Sequence, residues 1–235
     1  RHIPPLIWLA GLALTLVALA RPQAVVRLPR MEGTVILAFD VSGSMAAEDL
    51  DPTRIEAAKS AAQAFVEGAP PGYTIGVVAF SDSGFMVQPP TRDQAAILTT
   101  IQRLAPEAGT SLANGIFASL NAIAAAEADP PPGLYTNRAP EPTPLPTPVP
   151  PGTYSSAAIV LLTDGENTQS PDPLEAAQAA AERGVRVHTI GIGSEAGVTL
   201  ELDGFSVHTR LDEGMLEQIA ARTGGNYTRA EDAEA

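Results

Sequence analysis

The stretch that decides the fold is Val35-Ile36-Leu37-Ala38-Phe39-Asp40-Val41-Ser42-Gly43-Ser44-Met45. Its first half is a run of apolar residues typical of a buried β-strand, and its second half is polar and contains a Gly, which is typical of a loop. In an open parallel sheet, ligands bind at the carboxyl ends of the strands. Because alternate residues point the same way, Asp40, Ser42 and Ser44 are predicted to face one point at that edge.

The ligand atoms that this loop offers belong to one carboxylate and two hydroxyls. Hard oxygen ligands of this kind, without His or Cys beside them, suit Mg²⁺, Mn²⁺ or Ca²⁺ and bind zinc or copper poorly. Ser42 and Ser44 also have an ordinary explanation, since Ser is a common turn residue. The case for a cation site therefore depends on further ligands elsewhere in the chain.

Asp-x-Ser-x-Ser after an apolar strand resembles the metal-ion-dependent adhesion site of the von Willebrand factor A (VWA) family. In that family, a threonine in a later loop and an aspartate after a later buried strand complete the site. Thr110, within the segment Ala-Gly-Thr-Ser-Leu, and Asp164, at the end of the apolar run Ile-Val-Leu-Leu-Thr-Asp, lie at matching places. Taken singly, Thr110 also suits a helix cap, and Asp164 before a Gly suits an ordinary turn.

The resemblance implies a role for each of these residues. Ser42 and Ser44 would coordinate the ion directly, and Thr110 would do so directly or through water. Asp40 and Asp164 would orient bound waters and balance the charge, or exchange with Thr110 when the site changes state. The implied cofactor is Mg²⁺, with Mn²⁺ or Ca²⁺ as alternatives.

A Glu or Asp carboxylate from a partner protein would complete the coordination, so the resemblance implies a protein-binding module and not an enzyme. No general base or nucleophile triad is evident around the three loops. One alternative is a Mg²⁺-dependent phosphoryl-transfer enzyme of the haloacid dehalogenase type, which also has an Asp after its first buried strand. In this chain, however, Ser42 stands where the general acid is expected, and Lys59 is the only lysine. A scaffold with a vestigial metal site is the other alternative.

Four segments resemble the bacterial Bat aerotolerance-type membrane proteins. They are Ala-Leu-Ala-Arg-Pro-Gln at 18–23, Asp-Val-Ser-Gly-Ser-Met-Ala-Ala-Glu-Asp-Leu at 40–50, Leu-Leu-Thr-Asp-Gly-Glu-Asn at 161–167 and Thr-Ile-Gly-Ile-Gly at 189–193. Bat proteins carry a VWA domain between transmembrane helices and are associated with MoxR-type ATPases. The resemblance therefore implies an extracytoplasmic domain, with a MoxR-type AAA+ ATPase system and other membrane VWA proteins as partners.

Residues 1–21 are predicted to form a transmembrane helix that anchors the chain in the cell membrane. Residues 3–20 carry no charge, and as a helix they span roughly 27 Å, close to the hydrocarbon thickness of a bilayer. A signal peptide and a buried core helix are the alternatives. The chain begins without Met, which favours an internal helix of a longer protein. Arginines after the run favour a cytoplasmic domain, against the topology that the Bat resemblance implies.

Residues 22–33 are predicted to be a linker, residues 34–230 one VWA domain, and residues 231–235 an acidic tail. Strands alternate with helical segments along this domain, which predicts parallel βαβ units. The predicted fold class is α/β: a doubly wound, mostly parallel Rossmann-like sheet with one antiparallel edge strand.

The individual elements are predicted from hydrophobic periodicity, helix caps and turn residues. Helices are predicted over residues 52–67, 93–104, 111–128, 173–183 and 212–223. Strands are predicted over residues 35–39, 73–80, 85–87, 157–163 and 185–192, followed by a hairpin over 198–208 and a last short strand after residue 226. Asp51 and Pro52 are expected to begin the first helix, and Asp172 and Pro173 the fourth.

The segment 129–154 is rich in proline and interrupts the pattern. Proline at this density cannot enter a sheet ladder or a helix interior, so a solvated surface insertion, polyproline-like or disordered, is expected. A docking sequence for a proline-binding module is the alternative. The insertion departs from the usual Bat pattern.

The net charge of the chain is −13. Such a field repels phosphate backbones, so no nucleic acid is expected among the partners. The sequence contains no Cys, which excludes disulfides and thiolate metal sites but does not choose a compartment.

Overall fold

The computed structural model describes residues 33–107, 109–127, 145–150, 153–202 and 205–230, together with Trp8, Leu9, Leu12 and Thr15. The chain divides into two compact units, Arg1–Arg30 and Met31–Ala235. In the first unit, the four described residues are helical. None of the helices in the described part of the chain is long and apolar enough to cross a bilayer. The predicted transmembrane helix (1–21), linker (22–33) and acidic tail (231–235) lie almost entirely outside the described residues.

The second unit contains a large sheet, helices packed against it and a separate hairpin. Its described strands are β1 (Thr34–Asp40), β2 (Thr74–Phe80), β3 (Gly84–Thr91), β4 (Ala157–Thr163), β5 (Arg186–Gly191), β6 (Val198–Leu202), β7 (Phe205–Thr209) and β8 (Tyr227–Arg229). Its described α-helices are α1 (Arg54–Gly68), α2 (Gln94–Gln102), α3 (Leu112–Glu127), α4 (Pro173–Glu182) and α5 (Glu213–Thr223). A short 3₁₀ turn, Gly43–Ala46, follows β1.

The large sheet has the strand order β3-β2-β1-β4-β5-β8, and β6 pairs with β7 in the hairpin. β1 pairs in parallel with β2 and β4, β5 is parallel to β4, and β8 is parallel to β5. Among the described strands of this sheet, β3 alone is antiparallel, and it lies at one edge. The predicted α/β fold, a mostly parallel sheet with one antiparallel edge strand, is confirmed.

The central strand β1 is buried on both faces. Ile36 and Ala38 pack on the side of α3, α4 and α5, whereas Leu37 and Phe39 pack on the side of α1 and α2. All four residues are fully buried. A strand covered on both faces appears in the sequence as a continuous apolar run, which is why residues 35–39 predict this strand so clearly.

The edge strand β3 is longer than the predicted segment 85–87. It extends to Thr91 and includes Pro89 and Pro90. Pro has no N–H to donate to a neighbouring strand, but an edge strand has one side without a partner and tolerates this loss. The pairing of β2 with β3 also shifts register between Ile75 and Val78. The prolines therefore lie at an irregular edge, a context that the sequence pattern alone does not reveal.

The start of α1 differs from the prediction. Thr53, and not Asp51, is the N-cap residue, and its hydroxyl accepts the backbone N–H of Glu56 at 3.4 Å. The backbone N–H of Arg54 donates to the carbonyl of Ala47 at 2.9 Å. Because this bond lies outside the helix, the chain before Thr53 stays in a loop that packs against the 3₁₀ turn, and the helix begins later than expected.

The remaining helix starts agree closely with the predictions. Asp172 caps α4, and Pro173 is the first residue of that helix. Asp93 and Asp212 cap α2 and α5, where their carboxylates accept backbone N–H groups at 3.2 and 3.1 Å. Short acidic side chains bind N–H groups that have no partner inside the helix, and this local preference can be read from the sequence.

Part of the proline-rich segment packs against the domain, which corrects the expectation that it is solvated throughout. Leu145 contacts the core on the side of α3 and α4. The N–H of Val149 donates to the carbonyl of Glu182, and the N–H of Ser155 donates to the carbonyl of Gly184, both at 2.9 Å. The last carbonyls of a helix lack partners within it, so the end of α4 offers acceptors to this segment. Residues 128–144 and 151–152 lie outside the described residues.

Gly184 permits this packing, so its replacement should destabilise the chain. Its φ is +68°, and a Cβ there would lie 2.5 Å from the carbonyl oxygen of Thr153. Gly184→Ala should lower the free energy of unfolding by at least about 1 kcal/mol, the usual penalty for left-handed backbone at a residue with a Cβ. Urea denaturation of the 235-residue chain measures this. Gly68→Ala is the matched control, because a Cβ there meets nothing within 4 Å. Equal stability of the two variants would contradict the prediction.

Candidate functional site

The predicted site residues gather where the parallel strands end. Asp40 is the last residue of β1, and Asp164 directly follows β4, the neighbour of β1 in the sheet. Thr110 lies in the loop before α3. The next residue in that loop, Ser111, donates its N–H at 2.7 Å to the carbonyl of Ser81, which follows β2. The strand order thus brings the three loops that carry the predicted ligands to one edge of the sheet.

Asp40 organises the loop after β1. Its Oδ1 accepts the N–H of Ser42 at 2.8 Å, and its Oδ2 accepts the hydroxyl of Thr163 at 2.5 Å. The Oγ atoms of Ser42 and Ser44 lie 2.9 Å apart. Because Thr163 is the last residue of β4, the carboxylate of Asp40 joins the first loop to the third.

Thr110 is held by its backbone and not by its side chain. Its carbonyl accepts both the N–H and the hydroxyl of Thr168, at 3.2 and 3.3 Å. The residue is buried, with 5% of its surface exposed. Across the described ranges of the chain, its own hydroxyl makes no hydrogen bond. This oxygen is therefore available to a ligand.

Two carboxyl groups share this buried edge, and burial raises the pKa of both. The pKa of Asp40 rises to about 7, chiefly because the side chain is fully buried and further because Asp164 is negative. Burial also raises the pKa of Asp164, although the Ser44 hydroxyl and the Arg54 guanidinium oppose the rise. Neighbouring carboxylates out of water disfavour one another's charge, so a cation between them would stabilise both charged forms.

The donor set fits a small, hard cation. The carboxylates of Asp40 and Asp164 and the hydroxyls of Ser42, Ser44 and Thr110 are oxygen donors of the kind that Mg²⁺ and Ca²⁺ prefer. Over the described residues, no group of three or more His, Cys, Asp or Glu side chains is placed to hold a metal. A cation at this edge would therefore depend on the hydroxyl oxygens as much as on the two carboxylates.

Arg54, which the sequence analysis did not single out, also belongs to this site. Its side chain is fully buried, and its Nη1 donates to Oδ2 of Asp164 at 2.9 Å. Its Nε and Nη2 donate to the two carboxylate oxygens of Asp49 at 2.7 and 2.8 Å. Asp49 in turn accepts the N–H and the hydroxyl of Ser194, both at 2.9 Å. The guanidinium therefore joins the loops that follow β1, β4 and β5.

The pair of Arg54 and Asp49 stays ionised. Burial alone would raise the pKa of Asp49, but hydrogen bonds from Arg54 and Ser194 outweigh it and lower the pKa to about 2. A charge-assisted pair with two parallel N–H···O bonds is strong and geometrically specific. One N–H of the guanidinium remains directed at Asp164, so this carboxylate has a fixed cationic neighbour.

A signal for Arg54 is present in the sequence. The residue lies four and eight positions before Ala58 and Ala62, on the stripe of α1 that is buried against the sheet. Side chains at this spacing share one face of a helix. A charged side chain on an apolar stripe requires a buried partner, and the two carboxylates supply it.

Comparison with known proteins identifies the family. A profile of the von Willebrand factor type A domain matches residues 35–167, and a second profile with the same description matches residues 152–235. The chain belongs to the von Willebrand factor type A domain family. The resemblance inferred from the loop after β1 is therefore confirmed.

Individual relatives connect this VWA domain with Bat proteins. A UPF0353 protein of Mycolicibacterium paratuberculosis is 32% identical over 237 residues, which cover 98% of this chain but only 65% of that relative. The structure of BatB from Bacteroides thetaiotaomicron has a TM-score of 0.63 and 28% identity, over 84% of this chain and 89% of that one. An aerotolerance-related membrane protein from Bacteroides fragilis has a TM-score of 0.66 and 26% identity, over 86% and 95%. The predicted resemblance to the Bat group is confirmed.

Asp40 should make the VWA domain less stable as pH rises when no metal is bound. The pKa of this carboxyl is raised from 3.8 to about 7 by folding, so between these values the folded state binds more protons than the unfolded state. The free energy of unfolding should therefore be unaffected by Asp40 below about pH 4, fall between about pH 4 and 7, and level off above. Urea denaturation in chelating buffer should show a fall on the order of 4 kcal/mol.

Asp40→Asn should remove most of this pH dependence, because the amide does not titrate. Asp51→Asn is the matched control, since Asp51 is an exposed carboxylate in the loop before α1, and it should keep the wild-type profile. A fall with pH that is as large in Asp40→Asn as in the wild type would show that another group is responsible.

Proposed function

We propose that this chain is a membrane-anchored VWA module that binds a divalent cation and, through it, an acidic residue of a partner protein. The observation that carries the proposal is the grouping of two buried carboxylates, Asp40 and Asp164, with the hydroxyls of Ser42 and Ser44, while Thr110 lies in a loop that reaches the same edge of the sheet. The hydroxyl of Thr110 adds support, because it makes no hydrogen bond within the described part of the chain and is therefore open to a ligand.

The five residues would have two different roles at the ion, according to their chemistry. Neutral hydroxyls of Ser42, Ser44 and Thr110 would hold the ion, and Asp40 and Asp164 would accept hydrogen bonds from its bound waters. A Mg²⁺ ion held mainly by neutral oxygens keeps much of its positive charge and attracts an outside carboxylate. Mg²⁺ is the proposed ion, with Mn²⁺ or Ca²⁺ as alternatives.

The hydrogen bonds of Asp40 argue against a phosphoryl-transfer enzyme. That reaction would use the carboxylate after the first strand as its nucleophile. Both oxygens of Asp40 accept hydrogen bonds from the protein, and the residue is fully buried. A nucleophile must reach its substrate, so this carboxylate is better suited to support an ion than to attack a phosphorus atom.

The setting of the module is proposed from its relatives. The B. fragilis structure is described as an aerotolerance-related membrane protein, and the B. thetaiotaomicron structure as BatB. By this likeness, residues 3–20 would anchor the chain in the cell membrane, and the VWA domain would lie on the extracytoplasmic side. A MoxR-type AAA+ ATPase system and other membrane VWA proteins would be its partners.

Removal of the two serine hydroxyls should abolish cation binding. Calorimetric titration of Mg²⁺ and Mn²⁺ into the 235-residue chain, in detergent, should give saturable binding that is lost in the double variant Ser42→Ala, Ser44→Ala. The double variant Ser60→Ala, Ser206→Ala is the matched control, because both serines are exposed and lie outside the site. A folded wild-type chain that binds neither ion would overturn the cation site and leave a scaffold with a vestigial motif.

Binding of a protein partner should require both the cation and one partner carboxylate. Candidate partners from the MoxR-type system can be titrated in the presence of Mg²⁺ and again with a chelator. The chelator, or replacement of the contacting Asp or Glu of the partner by Ala, should each weaken binding by at least about tenfold, the effect expected for a buried charge-assisted contact. Metal-dependent binding that survives every such Ala variant would contradict the bridging role.

A further inference from the structure

The two carboxylates of the site are held in different ways. Asp40 accepts hydrogen bonds only from neutral groups of the described chain, the N–H of Ser42 and the hydroxyl of Thr163. Asp164, in contrast, accepts a hydrogen bond from a positively charged side chain: Nη1 of Arg54 lies 2.9 Å from its Oδ2. This difference sets apart two residues that the motif alone treats as equivalent acidic groups.

Both oxygens of Asp164 are engaged by the protein. Besides Arg54, its Oδ2 lies 3.3 Å from the hydroxyl of Thr209, and its Oδ1 accepts the N–H of Glu166 at 3.1 Å. The Thr209 hydroxyl also lies 3.0 Å from Nη1 of Arg54 and 3.0 Å from Oε2 of Glu166. These contacts fix the orientation of the Asp164 carboxylate, which the hydroxyl of Ser44 also contacts from the serine loop.

Asp49 competes with Asp164 for the guanidinium of Arg54. It takes two of the guanidinium hydrogen bonds, and Ser194 holds it in place with two more. Asp49 is the more accessible partner, with 8% of its side chain exposed against none for Asp164. Removal of Arg54 and removal of Asp49 should therefore change the charge at Asp164 in opposite directions.

We infer that Arg54 is a specificity-determining residue of the cation site: by pairing with Asp164 it keeps this carboxylate out of direct coordination and so favours Mg²⁺ over Ca²⁺. The inference rests on the proposed function. Mg²⁺ keeps several of its waters and needs few carboxylates, whereas Ca²⁺ takes more oxygen ligands and readily accepts direct or bidentate carboxylates. A carboxylate tied to a guanidinium is a poor direct ligand but a good acceptor for a bound water.

Three variants test this inference by titration of Mg²⁺ and Ca²⁺ into the 235-residue chain. Arg54→Met frees Asp164, so Ca²⁺ should bind about tenfold or more tightly and the preference for Mg²⁺ should fall. Asp49→Asn directs the whole guanidinium charge at Asp164, so both ions should bind more weakly and the preference for Mg²⁺ should rise. Lys59→Met is the matched control, since it removes a cation from the same helix that pairs with Glu56 at the surface, and it should leave the preference unchanged.

The preference for Mg²⁺ is expected to change in opposite directions in Arg54→Met and Asp49→Asn. This contrast distinguishes a role in ion choice from a purely structural role. General damage to the fold would weaken the binding of both ions in Arg54→Met and in Asp49→Asn alike. Thermal unfolding and circular dichroism are therefore measured for each variant beside its titration. If Arg54→Met does not fold, Asp49→Asn decides: a rise in the preference for Mg²⁺ supports the inference, and an unchanged preference overturns it. If a folded Arg54→Met variant keeps the wild-type ratio of Mg²⁺ to Ca²⁺ affinity, the inference is overturned while the proposed function stands. A folded wild-type chain that binds neither ion overturns both.

Discussion

Two carboxyl groups lie out of water at the ends of neighbouring parallel strands, and the loops at this edge are built around them. β1 and β4 pair in register, with Phe39 opposite Leu162, so Asp40 lies opposite Thr163 and Asp164 follows one residue further along the neighbouring strand. An ionised group removed from water is unfavourable unless it is paired or hydrogen-bonded. The backbone of Ser42, the hydroxyl of Thr163 and the guanidinium of Arg54 all serve this purpose. The arrangement of the site therefore follows from where the central strands end.

The protein only partly compensates these two charges. Arg54 divides its hydrogen bonds between Asp164 and Asp49, and the pKa of Asp40 remains raised to about 7. Functional sites often carry such local costs, which the rest of the fold must support. Here the support is a sheet whose central strand is buried on both faces. A cation between the carboxylates and the hydroxyls of Ser42 and Thr110 would relieve the cost, which gives the proposed binding a physical driving force.

The sequence alone determined the architecture and indicated the motif residues of the predicted site. A strand that is buried on both faces leaves a continuous apolar run, as residues 35–39 do, and an aspartate such as Asp172 before a proline marks a helix start through local hydrogen bonding. These signals depend on neighbours in the chain, so they can be read without the fold. The motif residues Asp40, Ser42 and Ser44 are likewise close in sequence, and the family pattern added Thr110 and Asp164.

Only the tertiary structure decided which groups surround those residues. Arg54 meets Asp164 from 110 positions away, and the sequence shows only that a charged residue lies on an apolar helix stripe. Val149 finds its acceptor at the end of α4, and Thr53 replaces Asp51 as a cap because the loop before it folds back on Ala47. Local preference specifies strands, caps and motif loops, whereas the pairing of buried charges and the packing of the proline-rich segment depend on contacts between distant parts of the chain.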